Sequence, residues 1–258
     1  MDLGLKDKLA VILGASRGLG LYTARSLAAE GANLLLCARG REKLEEVADQ
    51  IRSEFGVSVD TVAIDITDEA SANAIADQAA TLGGANIFIG NAGGNRRKAF
   101  AELSRTDWLD ILSVNLLAHA DCARAIVPQM SKGETGSILF VSSIFGREAG
   151  GKGLTLYNTT KSALISMAKI MALELAESGI RVNTIAPGSI RFPGGSWDRR
   201  CIENPEAMAE FVKQNIPIGR FGTAEEIGDT IAFLVSDRAS LITGACINVD
   251  GGQSHSLI

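Results

Sequence analysis

The chain has 258 residues, 46% of them hydrophobic, and a mean hydropathy of +0.16, which is enough apolar material for a substantial core. A net charge of -5 and a pI near 5.2, with no Lys/Arg-rich block, argue against nucleic acid as a partner. No apolar run approaches membrane-spanning length and residues 1–8 lack a signal-peptide core, so no membrane partner and a cytoplasmic location are expected.

Strand-like and helix-like segments alternate along the whole sequence. Residues 9–13 read as a buried strand, 18–30 as a helix ended by Gly31, 33–38 as a strand and 41–55 as a charged amphipathic helix. Strand 58–64, helix 68–82 and strand 85–90 come next, then one long helix over about 106–130 and strand 137–141. Helix 157–178, strand 181–186, helix 224–236 and strand 246–249 complete the series. Uniformly apolar strands between helices predict an α/β fold: a single-domain, doubly wound parallel sheet of Rossmann type with helices on both faces. No linker divides residues 1–258, so they are expected to form one domain.

Residues 188–204 are polar, Gly-rich and irregular, and a substrate-covering loop is expected at about 188–215. Segments 108–127 and 163–176 are apolar nearly all round, which implies that a second copy covers them in a homotetramer or homodimer. Cys37, Cys122, Cys201 and Cys246 lie far apart with no Cys-x-x-Cys pair, and fit reduced thiols better than a metal site. His119 and His255, the only histidines, read as packing or surface residues, and no metal is expected.

The turn Gly14-Ala15-Ser16-Arg17-Gly18-Leu19-Gly20 opens the first strand–turn–helix unit. Gly14, Gly18 and Gly20 permit a tight turn and close approach to phosphate; Ser16, Arg17 and Leu19 carry the backbone at the helix start that faces the anion. A dinucleotide site usually places an acid after the second strand to hold the adenosine ribose. This chain has Arg39 there, with Arg17 nearby, so either the two guanidiniums bind an extra phosphate or they face solvent; the first reading selects NADP(H). Asp65 and Ile66 follow the third strand, where Asp65 either bonds adenine or caps the next helix. Asn91, Ala92 and Gly93 form a turn at the same edge.

Tyr157 and Lys161 are four residues apart, one turn along a helix face. A phenol titrates near pH 10, and a fixed cation beside it is expected to lower that value. A serine such as Ser143 can then hold a substrate oxygen while the phenol exchanges its proton.

Over almost its whole length the chain resembles the short-chain dehydrogenase/reductase family. The resemblance rests on Gly14, Gly18 and Gly20; Asn91-Ala92-Gly93; Asn115; Ser143; Tyr157 with Lys161; Pro187-Gly188; and Val249-Asp250-Gly251-Gly252. The tail looks most like the 3-oxoacyl carrier-protein reductases. The resemblance implies Tyr157 as acid or base, Lys161 on the nicotinamide ribose, Ser143 on the carbonyl, Asn115 holding a relay water, and Pro187, Gly188 and Ile190 fixing the nicotinamide face. Leu13, Gly90 and Phe192 depart from the usual pattern, and Phe192 replaces a hydroxyl residue that often contacts the nicotinamide amide.

The function expected is reduction by NADPH of a ketone or aldehyde, such as a 3-oxoacyl thioester, in a small-molecule substrate. An NAD(P)-dependent alcohol dehydrogenase working oxidatively is the alternative, and an NADP-sensing binding protein the non-enzymatic one. Arg96 and Arg97 are placed near substrate entry, and Arg191, Phe192 and Trp197 along the pocket wall.

Overall fold

The computed structural model describes residues 2–130 and 136–257. Its elements run β1 (Leu9–Leu13), α1 (Gly18–Ala29), β2 (Asn33–Ala38), α2 (Arg41–Phe55), β3 (Val59–Ala63), α3 (Ser71–Thr81) and β4 (Ile87–Gly90). There follow α4 (Arg105–Leu112), α5 (Ala118–Met130), β5 (Gly136–Val141), α6 (Thr155–Leu175) and β6 (Ile180–Pro187). The last are β7 (Ile190–Arg191), α7 (Ser196–Glu203), α8 (Pro205–Asn215), β8 (Gly222–Thr223), α9 (Ala224–Val235) and β9 (Cys246–Val249).

Seven strands form one parallel sheet in the order β3-β2-β1-β4-β5-β6-β9, and β7 and β8 pair separately. Side chains alternate across the sheet, as the strand period of two requires. Ala10 and Ile12 join a core with Ala24, Leu27, Leu44, Ile51, Ile227 and Ile231, so α1, α2 and α9 cover one face. Leu9, Val11 and Leu13 meet Ile75, Ile126, Leu164 and Ala168, so α3, α5 and α6 cover the other. With both faces buried, strands must be apolar throughout, and that is why their sequences show continuous runs.

Strand order reverses between β1 and β4, and such a switch point opens a crevice at the strands' carboxyl ends. Gly14, Arg39, Asp65, Asn91, Ser142 and Gly188 all fall at or just past those ends.

Two segments differ from the sequence reading. The long helix around 106–130 has a π turn over Ser113–Leu117 between α4 and α5, which hydropathy periodicity does not register. The stretch read as irregular holds β7 and α7 and leads into α8. Gly195, extended at φ -71° and ψ 168°, starts α7; the Asn204 side chain accepts from the Ala207 N–H and Pro205 stands in the first turn to start α8. Gly195 is one of the glycines that made the composition look like loop.

Candidate active site

A cleft of about 1150 Å³ lies across the carboxyl ends of β1 to β6. Its wall includes Gly14, Ser16, Arg17, Gly18, Leu19, Arg39, Asp65, Ile66, Asn91, Ala92, Gly93, Ser143, Tyr157, Lys161, Pro187, Gly188 and Ile190. Gly20 and Asn115 stand behind the wall. A Cβ on Gly20 would lie 2.3 Å from the Gly14 carbonyl oxygen, so its bareness lets α1 close on the turn. Gly14 itself has φ +72°, where only glycine is at ease. The Asn91 amide donates to the carbonyls of Leu13 (3.1 Å) and Gly14 (3.2 Å), fastening the end of β4 to that turn.

Asn115 occupies the π turn and is fully buried. Its amide donates to the Gly94 carbonyl (2.9 Å) and the Thr160 hydroxyl (2.9 Å), while its oxygen accepts from the Gly94 N–H (2.7 Å). Both amide hydrogens are thus engaged within the protein, and the side chain clips the 93–94 turn to α6.

At the reacting end, burial pushes the Tyr157 phenol up, with Ser143 hydrogen bonding partly opposing it. Lys161 is also buried, and burial pulls its ammonium down to about 8. Its Nζ lies 5.8 Å from the Tyr157 ring centre and donates to the Val141 carbonyl at 2.7 Å. Burial is thus the largest influence on the phenol, while the ammonium is held toward β5. The Ser143 hydroxyl accepts from the Phe145 N–H at 3.2 Å, which fixes its position beside Tyr157.

The residues suit a dinucleotide phosphate. No carboxylate reaches Lys161 among the described residues, so a buried ammonium has two of its three N–H donors available beside the cleft. Arg17 makes no ion pair among the described residues, and Arg39, largely exposed, comes only within 3.9 Å of Asp65. Asp65 accepts from the Thr67 N–H (3.0 Å) and hydroxyl (2.8 Å), which holds its carboxyl below the usual range. Asp65 does not cap α3, whose N-cap is Ala70; its carboxylate holds the turn before that helix instead.

The wall also includes Asn95, Arg96, Asp110, Ser113, Val114, Trp197 and Arg199. Arg96 is neutralised by Asp107 (2.5 Å) and Asp110 (3.1 Å), and Arg97 donates to the Lys152 carbonyl (3.2 Å). Arg191 turns away to Asp198 (2.9 Å), whereas Phe192 and Trp197 do line the cleft. Asp110, Ser113 and Val114 escaped sequence reading because the helix pattern gives no sign of which polar face meets a cleft.

Residues 14–254 match a family model described as enoyl-(acyl carrier protein) reductase. A 3-oxoacyl-(acyl-carrier-protein) reductase of Aquifex aeolicus is 34% identical over 98% of this chain and 100% of its own length. The chain belongs to the short-chain dehydrogenase/reductase family. The solved L-sorbose reductase of Gluconobacter frateurii, complexed with NADPH and L-sorbose, has 33% identity and a TM-score of 0.94, with both chains covered in full. A solved 7α-hydroxysteroid dehydrogenase with NADH and a 7-oxo bile acid has 29% identity and a TM-score of 0.90, over 100% of this chain and 98% of its own.

One departure from the family pattern has a local explanation. A Cβ on Gly90 would lie 2.4 Å from the Phe140 ring and 2.6 Å from His119 Nδ1, so glycine makes room for a buried imidazole. Burial first, and the Lys161 cation second, hold His119 down to about 4. The neutral ring donates from Nε2 to the Ala92 carbonyl at 2.7 Å, supporting the Asn91-Ala92-Gly93 turn from beneath. His119 follows Asn115 by one helical turn, and that spacing was the only hint the sequence offered.

Proposed function

We propose that the chain reduces a ketone or aldehyde to an alcohol with NADPH as hydride donor. The observation that carries this is one cleft with Ser143, Tyr157 and a buried, carboxylate-free Lys161 at one end and Arg17 and Arg39 at the other. When bound, the nicotinamide dinucleotide supplies the hydride. The α1 start with Gly14, Ser16, Gly18 and Leu19 would hold its pyrophosphate, and Arg17 and Arg39 the extra phosphate. Asp65 and Ile66 border the base, and Asn91, Ala92, Gly93, Pro187, Gly188 and Ile190 the nicotinamide half. Lys161 would bond ribose hydroxyls.

Tyr157 gives its proton to the carbonyl oxygen, which Ser143 also holds. A phenol raised by burial stays protonated at neutral pH, the form that donates a proton in reduction. Asn115 acts as a positioning residue. A sensor would have no use for Ser143, Tyr157 and Lys161 together.

The segment over 188–215 serves as a lid across the substrate end of a chain that works as one domain. The side chains of Asn95, Ser113 and Ser196 line that end without hydrogen bonds to other described residues, and favour a hydroxyl-bearing ketone over an acyl chain, although the same chemistry accommodates a 3-oxoacyl thioester. The exposed Leu109, Leu117, Ile170 and Leu173 support a homodimer or homotetramer. The unbridged cysteines fit a cytoplasmic location. Titration with NADPH and NADH tests the cofactor assignment: Arg39→Asp should weaken NADPH about tenfold or more and NADH little. Equal losses would contradict it.

A further inference from the structure

The side chain at Phe192 cannot replace the hydroxyl that the family often has there, and its placement suggests a different use. Its ring lies between two glycines. A Cβ on Gly18 would stand 3.0 Å from both Cε2 and Cζ of the ring, and a Cβ on Gly195 would stand 2.9 and 3.0 Å from the same atoms. Gly18 opens α1 at the phosphate turn; Gly195 precedes α7 at the start of the lid. The Gly195 N–H donates to the Phe192 carbonyl at 2.9 Å, so ring and lid start form one local unit. That unit is braced by the Asp198 carboxylate, which accepts from the Gly194 N–H (3.0 Å) and from Arg191 (2.9 Å).

Phe192 borders two spaces. One is the cleft; the other is a cavity of about 700 Å³ lined by Pro205, Met208, Val212 and Phe221 among others. Among the described residues no other residue borders both. Phe192 therefore stands where the cleft and that cavity meet.

We propose that Phe192 is a positioning residue that latches the lid to the phosphate turn, so that the lid opens for dinucleotide exchange only when the ring leaves Gly18. This rests on the proposed function, in which the cleft takes NADPH. Packing a ring against bare Cα atoms on both sides gives close contact that any Cβ would disrupt. Holding α7 in place keeps Trp197 and Arg199 on the cleft wall, and also slows escape of a ligand bound along Gly14–Gly20.

Gly195 has a φ of -71° that suits any residue, and a Cβ there would meet both the ring and the Phe192 carbonyl oxygen (3.0 Å), so the part of its effect that is lost in Phe192→Ala reports the ring contact. NADPH dissociation would be followed by stopped-flow fluorescence, alongside kcat, KM and tryptic cleavage at Arg199 and Arg200. Phe192→Ala should speed dissociation about tenfold and expose the lid to trypsin, while Phe192→Tyr, which keeps the ring, stays within about twofold of the native chain. Gly195→Ala should speed dissociation in the native background and do so clearly less in Phe192→Ala, which has lost the ring but keeps the carbonyl oxygen that the new Cβ would also meet. Dissociation unchanged in Phe192→Ala, or equal effects of Gly195→Ala in both backgrounds, would overturn the latch. Failure of the native chain to bind NADPH would instead overturn the function on which it rests.

Discussion

Lys161 is the residue whose environment says most about the chemistry. A lysine titrating near 10.5 is drawn to about 8 by burial, so it is charged at neutral pH and loses that charge in mildly alkaline solution. Tyr157 is pushed the other way and keeps its proton across the same range. The two shifts predict that kcat/KM for reduction falls as pH rises through about 8, because of the lysine and not the phenol. A profile flat well beyond pH 8 would show that the ammonium is not needed for the reaction. The sign for stability is opposite. Between the folded value of about 8 and the ordinary 10.5, the unfolded chain binds a proton that the native chain lacks, so this group's contribution to stability rises with pH there.

At the scale of elements, the glycine turn depends on contacts that sequence only partly discloses. Gly14 and Gly18 were legible as phosphate-approach positions, but Gly20 acts by packing: a methyl there would stand 2.3 Å from the Gly14 carbonyl oxygen and 2.5 Å from the Asn91 amide nitrogen. Gly20→Ala should therefore cost ~1–3 kcal/mol in urea unfolding and weaken NADPH binding together. Native stability would mean that α1 can shift to make room. Strands such as Leu9–Leu13 and Asn33–Ala38 were legible to the residue, because burial on both faces leaves an unbroken apolar run between polar turns. The π turn at Ser113–Leu117 was not, since one extra residue per turn changes hydrogen bonding without changing composition. Helix α7 was hidden for a different reason. Its eight residues include four charged side chains and no fully buried position, so it is amphipathic but too short and polar to stand out, and the contacts of Trp197 with Phe211 (4.7 Å) and Phe221 (5.2 Å) that anchor it are distant in sequence. Arg96 shows the same limit within the site, because nothing local tells that Asp107 and Asp110 will claim it.

For the molecule as a whole, the switch point between β1 and β4 explains why motifs scattered from Gly14 to Ile190 meet in one cleft. The proposed assembly rests on apolar side chains that this architecture leaves uncovered. Ile170 and Leu173 on α6 are 51% and 65% exposed, and Leu109 on α4 is 50% exposed. Replacing Ile170 and Leu173 together by Glu should shift sedimentation toward the monomer, since burying either charge between copies is unfavourable. A native chain that already sediments as a monomer would contradict the assembly.

The most direct measurement compares the native chain with Tyr157→Phe, following loss of nicotinamide absorbance with NADPH and a panel including L-sorbose and an acetoacetyl thioester. Turnover of at least one carbonyl by the native chain is expected. In the variant, turnover should be reduced by about three orders of magnitude or more, with NADPH affinity within a few-fold. Substantial turnover by Tyr157→Phe would contradict the assignment of the phenol as proton donor.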